Sequence, residues 1–246
     1  MIQTPRPILS LEKISKRFGA VVVARALDLA LAEGEALGVI GPNGAGKTTL
    51  FGIASGTVAP DAGRVVFAGI DITDLAPERR CRLGIGRSFQ IPQPFNGMTV
   101  FENLVVAAAF GGGRRERDVY ARCVELIEQC GLAAKANRPA GSLTLLDRKR
   151  LELARALATQ PRVLLLDEVA GGLTEHECKA LVDLIRDIRR GGISIIWIEH
   201  VVHALVALVD RLVVLHGGGF IGEGAPQAVI ASPAVRDIYM GIPADA

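Results

Sequence analysis

The sequence predicts an α/β fold: a mainly parallel sheet carrying a phosphate-binding loop, an antiparallel β subdomain ahead of it and an α-helical subdomain inserted into it. Three observations predict this. The uncharged run Leu37-Gly-Val-Ile40 leads into Gly41-Pro-Asn-Gly-Ala-Gly-Lys-Thr48 and then a helical pattern through Leu50, Phe51 and Ile53, the strand, loop and helix order of a phosphate cradle. Two further short apolar runs, Val163–Leu166 and Ile193–Ile198, each follow a capped helical stretch, as buried parallel strands follow their crossovers. Alternation marks Ile8–Ile14 and Ala26–Leu31 instead, and a strand-like Arg64–Gly69 follows the Pro60-Asp-Ala-Gly63 turn, so an antiparallel sheet precedes the core and resumes after the loop helix.

Each residue type in the loop has a physical use. Glycines at 41, 44 and 46 permit backbone angles and a close approach that a Cβ would block, so successive N–H groups can turn onto phosphate oxygens. The helix N-terminus adds its positive dipole end, the Lys47 ammonium is expected to reach the β and γ phosphates, and the Thr48 hydroxyl is expected on Mg²⁺. The candidate nucleotide-binding residues are therefore Gly41, Pro42, Asn43, Gly44, Ala45, Gly46, Lys47, Thr48 and Thr49. Ahead of them Phe18 is either a ring for adenine to lie on or a core phenylalanine.

Composition narrows the class. With 246 residues, half of them apolar, the chain suffices for one large core with a lobe inserted in it. A formal charge of +2 gives no electrostatic footprint for nucleic acid. The opening residues lack a signal-peptide pattern, and no apolar run approaches the roughly 18 residues of a membrane span. Cys81, Cys123, Cys130 and Cys178 form no C-x-x-C pair, so reduced thiols in a cytosolic protein are expected rather than a metal or disulfide framework.

After the loop helix, Asp71–Arg82 carries Pro77 and a basic cluster and leads into Arg87-Ser-Phe-Gln90. Gln90, at the end of a short strand, can present its amide oxygen to Mg²⁺ or to an attacking water. Helices are expected over Val100–Phe110 and Arg114–Cys130, with a Gly111-Gly-Gly113 break, and Val119, Cys123, Ile127 and Cys130 recur at packing distance on the second. Thr144-Leu-Leu-Asp147 has the form of a capping box and places a helix N-terminus at Thr144. The strand Val163–Leu166 delivers Asp167 and Glu168 to its C-terminal end, where Asp167 suits a Mg²⁺ hydration shell and Glu168 can accept a proton from water. Thr174 and Glu177 cap another helix, and His200 lies just past Ile193–Ile198, within hydrogen-bonding reach of a γ-phosphate; Glu199-His200-x-x-His203 is not a zinc motif. Arg211–His216 and Phe220-Ile221 form a terminal hairpin about Gly217–Gly219, and 225–246 is a helical extension. The expected division is an antiparallel subdomain over about 8–33 and 64–70, a helical one over about 91–157, and a nucleotide-binding core, all in one domain.

In this order Phe18, the loop, Gln90, the helix start at Thr144, Val163–Glu168 and His200 resemble an ATP-binding-cassette ATPase with a P-loop NTPase core, over nearly the whole chain. Gly84–Gln90, Met98–Leu104 and Ala231–Gly241 are most similar to the ATP-binding subunits of branched-chain amino-acid importers. The resemblance implies ATP and Mg²⁺ as ligands, with Thr48, Gln90 and Asp167 toward the metal and Glu168, His200 and Gln90 as catalytic residues. It further implies a cytoplasmic homodimer or heterodimer with a related ATPase, peripheral on the inner face of the plasma membrane through transmembrane permease subunits served by a solute-binding protein. Ile91–Phe101 would be the surface those permeases touch. The trans contact to ATP falls on Thr144, Leu145, Leu146 and Asp147, where the family's usual signature is Leu-Ser-Gly-Gly-Gln. Here Leu146 stands for a glycine, and Asp147 is expected to bring negative charge toward an anionic ligand; Val169 replaces a proline and Thr174 an asparagine or aspartate. The resemblance leaves two alternatives: a weakly hydrolysing subunit of a heterodimeric complex, or the ATPase of a lipid or lipopolysaccharide exporter.

Overall fold

The computed structural model describes residues 7–240, and their strands sort into two sheets by apolar patterning. Strands β1 (Leu9–Phe18) and β2 (Val21–Leu31) pair antiparallel and bury Leu9, Leu11, Ile14, Leu27, Leu29 and Leu31. Both strands exceed their predicted lengths. Their register slips at three points, and Lys13 and Ala26 take φ of 50° and 47°, so bulges interrupt the alternation by which strands are recognised.

The next strand, β3 (Ala36–Ile40), is buried throughout and feeds the phosphate loop into helix α1 (Lys47–Ser55). Then β4 (Ala62–Phe67) pairs with β1, and β5 (Ile70–Asp71) with β4, completing the antiparallel sheet. A helix absent from the sequence reading follows, α2 (Pro77–Leu83), its proline in the first turn where the missing N–H costs nothing. It delivers β6 (Ile85–Arg87).

The helical stretch departs from expectation in detail. Helix α3 (Val100–Val106) closes a full capping box between Thr99 and Glu102, then widens into a π turn over Ala107–Gly111 rather than continuing as α-helix to Phe110. The expected helix from Arg114 is a 3₁₀ turn at Glu116–Asp118, after which α4 (Tyr120–Gln129) begins. Asp118 there ion-pairs with Arg115 and Arg117, a local alternative to helix propagation. Cys123, Ile127 and Cys130 are buried, as their spacing predicts.

Helix α5 (Leu145–Ala158) leads into β7 (Val163–Asp167), α6 (Glu175–Arg190), β8 (Ser194–Ile198), α7 (Val202–Val206), β9 (Arg211–His216) and β10 (Gly219–Gly224). The second sheet runs β10-β9-β3-β8-β7-β6, parallel except for the β10 edge. Side chains alternate across it: Leu37, Val39, Leu165, Ile196 and Ile198 pack toward α1 and the antiparallel sheet, while Ile40, Leu164, Leu166, Ile195 and Trp197 face a core shared with α5 and α6. Helices α8 (Pro226–Ala231) and α9 (Pro233–Met240) close the described chain; 241–246 of the expected extension lie outside the described residues. No helix among the described residues is long and apolar enough to cross a membrane.

Candidate functional site

The phosphate loop is clamped from two sides. A Cβ on Gly41 would lie 2.3 Å from the Leu215 carbonyl oxygen at the end of β9, and one on Gly46, where φ is 103°, would lie 2.4 Å from Val23 Cγ1 on β2. The loop thus keeps its N–H groups close to whatever enters, as only glycine allows at those two points. Lys47 is buried, and its ammonium donates to the carbonyls of Gly41 at 2.7 Å and Pro42 at 3.1 Å. Burial lowers its pKa, while the carboxylates of Glu168 and Asp167 act in the opposite sense. Thr48 is exposed in the first turn of α1. Asn43 to Thr49, Val23, Gln90 and Glu168 line one cleft of about 350 Å³.

The acids arrive from the neighbouring parallel strands. Asp167 ends β7 beside Ile198 of β8, and β6 runs alongside with Arg87 next to Leu165. The Arg87 guanidinium reaches Asp167 Oδ2 at 2.9 Å and lies 5.8 Å from the ring centre of Phe51 and 5.0 Å from that of Phe89. Burial raises the Asp167 pKa, opposed by its hydrogen bond and charge pairing with Arg87. Glu168 takes φ of 48°, a left-handed backbone unusual for a residue with a side chain, and its N–H donates to the Ile198 carbonyl at 2.9 Å. Its carboxylate meets His200 Nε2 at 2.9 Å and accepts from the Gln90 amide. Gln90 lies three residues beyond β6, in a loop rather than at the strand's end.

An arrangement of this kind can orient a carboxylate as a base. Two donors hold one carboxylate of Glu168 at the cleft wall, with an ammonium and a hydroxyl on the floor. The residues fit a nucleoside triphosphate with Mg²⁺: glycines that admit phosphate, one cation for it, and hydroxyl, amide and carboxylate oxygens for a hard metal. Among the described residues no cluster of three metal-ligating His, Cys, Asp or Glu side chains occurs. Sequence reasoning missed Arg87 and Val23, and the only signal for Arg87 was a cation in a short strand ahead of Gln90.

Phe18 and the stretch expected to meet a neighbour's nucleotide lie outside this cleft, and one expectation about charge is not met. Phe18 does not line it; the ring is half exposed, with the Lys16 ammonium 5.2 Å from its centre. Thr144 to Asp147 do not line it either. Asp147 does not present a free negative charge. It is buried, paired with the Lys135 ammonium and accepts from the Thr144 hydroxyl at 2.7 Å, so its charge is consumed within the chain. Thr144 caps α5 by accepting the Asp147 N–H at 3.3 Å, and only half of the expected reciprocal box forms because the Asp147 carboxylate turns to Lys135. Leu145 stays exposed, and a Cβ on Gly172 would lie 3.3 Å from its side chain.

The chain is similar to known proteins over nearly its whole length. A sequence model described as ABC transporter matches residues 24–171. The chain is 34% identical to the high-affinity branched-chain amino acid transport ATP-binding protein LivG of Escherichia coli K12, over 96% of this chain and 98% of that protein. It is 35% identical to the lipopolysaccharide export system ATP-binding protein LptB of Acidithiobacillus ferridurans, over 95% and 97%. The ADP conformation of MJ1267, an ATP-binding cassette of an ABC transporter, superposes with a TM-score of 0.88 at 30% identity, covering 96% of this chain and 99% of that one.

Proposed function

The chain belongs to the ABC transporter family, and from that premise we propose that it is the ATP-hydrolysing subunit of a membrane importer for branched-chain or other hydrophobic amino acids. The observation that carries the hydrolytic part is the meeting of Glu168 with His200 and Gln90 at the wall of the cleft that Lys47 and Thr48 floor. Lys47 and the loop N–H groups bind the polyphosphate, while Thr48, Gln90 and Asp167 would hold the hydrated Mg²⁺, which would neutralise charge on the phosphates. Glu168 accepts the proton of the attacking water, and His200, donating through Nε2, keeps that carboxylate oriented. Phe18 stacks the adenine from the rim. Two copies, or this chain and a related ATPase, close on the nucleotide so that Thr144 to Asp147 of one face the phosphates held by the other. In this arrangement 8–33 with 64–70 and 91–157 are the antiparallel and helical subdomains flanking the core. Ile91–Phe101 docks the permease, whose cytoplasmic face then holds the ATPase at the membrane. The amino-acid cargo rests on the similarity to LivG.

One observation favours a second reading, in which the chain hydrolyses weakly alone and depends on a partner. The free end of α5 is sheathed by Leu145, and its third N–H is taken by Thr144, which leaves few donors for a neighbour's phosphate. Steady-state hydrolysis against protein concentration separates the two. Turnover that curves upward with concentration and vanishes in Glu168→Gln, with ATP binding retained, is the expected result. Undiminished turnover in Glu168→Gln would remove Glu168 as the base, and a silent parent chain that binds ATP would favour the dependent subunit.

A further inference from the structure

Glu199 has no part in the chemistry assigned so far, yet it is more deeply buried than either catalytic side chain, at 1% exposure. Its Oε1 accepts the Ala170 N–H at 2.7 Å, and its Oε2 accepts the His200 N–H at 2.9 Å and the Val201 N–H at 3.5 Å. Ala170 lies two residues beyond Glu168, and His200 is the neighbour of Glu199 itself. One carboxylate therefore ties together the two chain segments whose side chains meet at the Glu168–His200 contact.

We propose that Glu199 is a positioning residue for hydrolysis, a bolt that holds the segment after Glu168 against the segment carrying His200. It rests on the assignment of Glu168 and His200 as the hydrolytic pair. The backbone of Glu168 supplies the reason a bolt is needed. Its left-handed φ of 48° is disfavoured for a residue with a Cβ and persists only where the surroundings over-determine it. Two anchors flank it: its own N–H on the Ile198 carbonyl, and the Ala170 N–H on Glu199. Val169 between them has a rotatable φ where a proline would have been fixed, so the second anchor is a hydrogen bond rather than a ring.

The chemistry also requires a carboxylate. Three N–H donors converge on two oxygens, an acceptor-only task that an amide cannot perform, because in either orientation its NH₂ would face the Ala170 N–H or those of His200 and Val201, and its oxygen carries no charge. Burial pushes the Glu199 pKa up, and the three N–H donors pull it back down. Burial pushes down the pKa of the Lys149 ammonium on α5, and the charges of Glu199 and then Glu168 act against that shift.

The test is Glu199→Gln in the full chain, with Glu168→Gln alongside. Expected for Glu199→Gln is a fall in kcat of about ten- to a hundredfold, with KM for ATP and nucleotide affinity held within about twofold, because the phosphate loop is untouched. Amide hydrogen exchange at Ala170 should quicken by about tenfold or more, since that N–H loses its charged acceptor. A kcat within about twofold of the parent, or parallel losses of kcat and affinity together with a lowered melting temperature, would overturn the proposal. Undiminished turnover in Glu168→Gln would instead remove the hydrolytic assignment. The Ala170 exchange rate is read without turnover, and an unchanged rate in Glu199→Gln sinks the bolt whatever the activity.

Discussion

Replacing Arg87 by methionine isolates the pairing on which the charge of Asp167 depends. The two side chains are 11% and 5% exposed, so Arg87→Met leaves a carboxylate in the interior with its principal cation gone. Losing one partner of a buried ion pair costs about 3–5 kcal/mol. The lower end applies, because the Lys47 ammonium still acts on Asp167 and the methionine stem keeps part of the packing against Phe51 and Phe89. A loss of about 3 kcal/mol corresponds to a fall of about 1 M in the urea midpoint for a slope of about 3 kcal/mol/M. The pH dependence has a definite sign. Burial already raises the Asp167 pKa, and without Arg87 it rises further, so the folded variant is penalised above that value and recovers as the pH falls through it and the carboxyl is protonated. Urea titrations of parent and variant at neutral and mildly acidic pH, with Asp167→Asn and the double variant completing the cycle, measure both effects. A deficit below about 1 kcal/mol, or one that does not shrink on acidification, would refute the claim that Arg87 keeps Asp167 ionised.

Two further outcomes follow from local geometry. Gly41→Ala should cost about 2–3 kcal/mol and abolish nucleotide binding, because its Cβ meets backbone 2.3 Å away, whereas Gly44→Ala, with nothing within 4 Å, should cost only the about 1–2 kcal/mol of a left-handed alanine; thermal melts and fluorescent-nucleotide titration check the order, and its reversal would contradict the clamped loop. For Asp147, burial pushes the pKa up but hydrogen bonds from Lys135 and Thr144 outweigh it, so the folded value lies below the ordinary 3.8. Its contribution, about 1 kcal/mol with Lys135 partly solvated, is then present at neutral pH and lost as the pH falls below that ordinary value. Asp147→Asn should accordingly be less stable than the parent at pH 7 and equal to it once both sites are uncharged, and a constant difference across that window would remove the Lys135 pairing as the cause.

What could be read from the sequence was whatever a local pattern encodes. The phosphate loop, β7 with its two acids and β8 with its histidine were legible because an apolar run and its punctuation sit within about ten residues of each other. The bulged strands β1 and β2 were truncated in the reading because Lys13 and Ala26 break the period on which strand recognition depends. The partners of Asp167 and Asp147 were illegible for a different reason. Arg87 is 80 residues from Asp167, and only the parallel register of β6 on β7 makes them neighbours. Lys135 lies 12 residues from Asp147, but across the turn between α4 and α5, whose path no periodicity specifies.

The same long-range pairings decide how the site meets its ligand. Lys47 is held by two loop carbonyls, Asp167 by Arg87, and Glu168 by Gln90 and His200, so each group that would touch phosphate, metal or water already has a protein partner. For Lys47, polyphosphate binding exchanges neutral carbonyl acceptors for charged ones, a gain in hydrogen-bond strength for a cation that is already desolvated. For Glu168 no exchange is required: Gln90 donates through Nε2, which leaves its amide oxygen free for a metal while the contact to the carboxylate stands. The side chain that would meet the metal and the carboxylate proposed as the base are thus joined through one amide, its oxygen turned to one task and its NH₂ to the other.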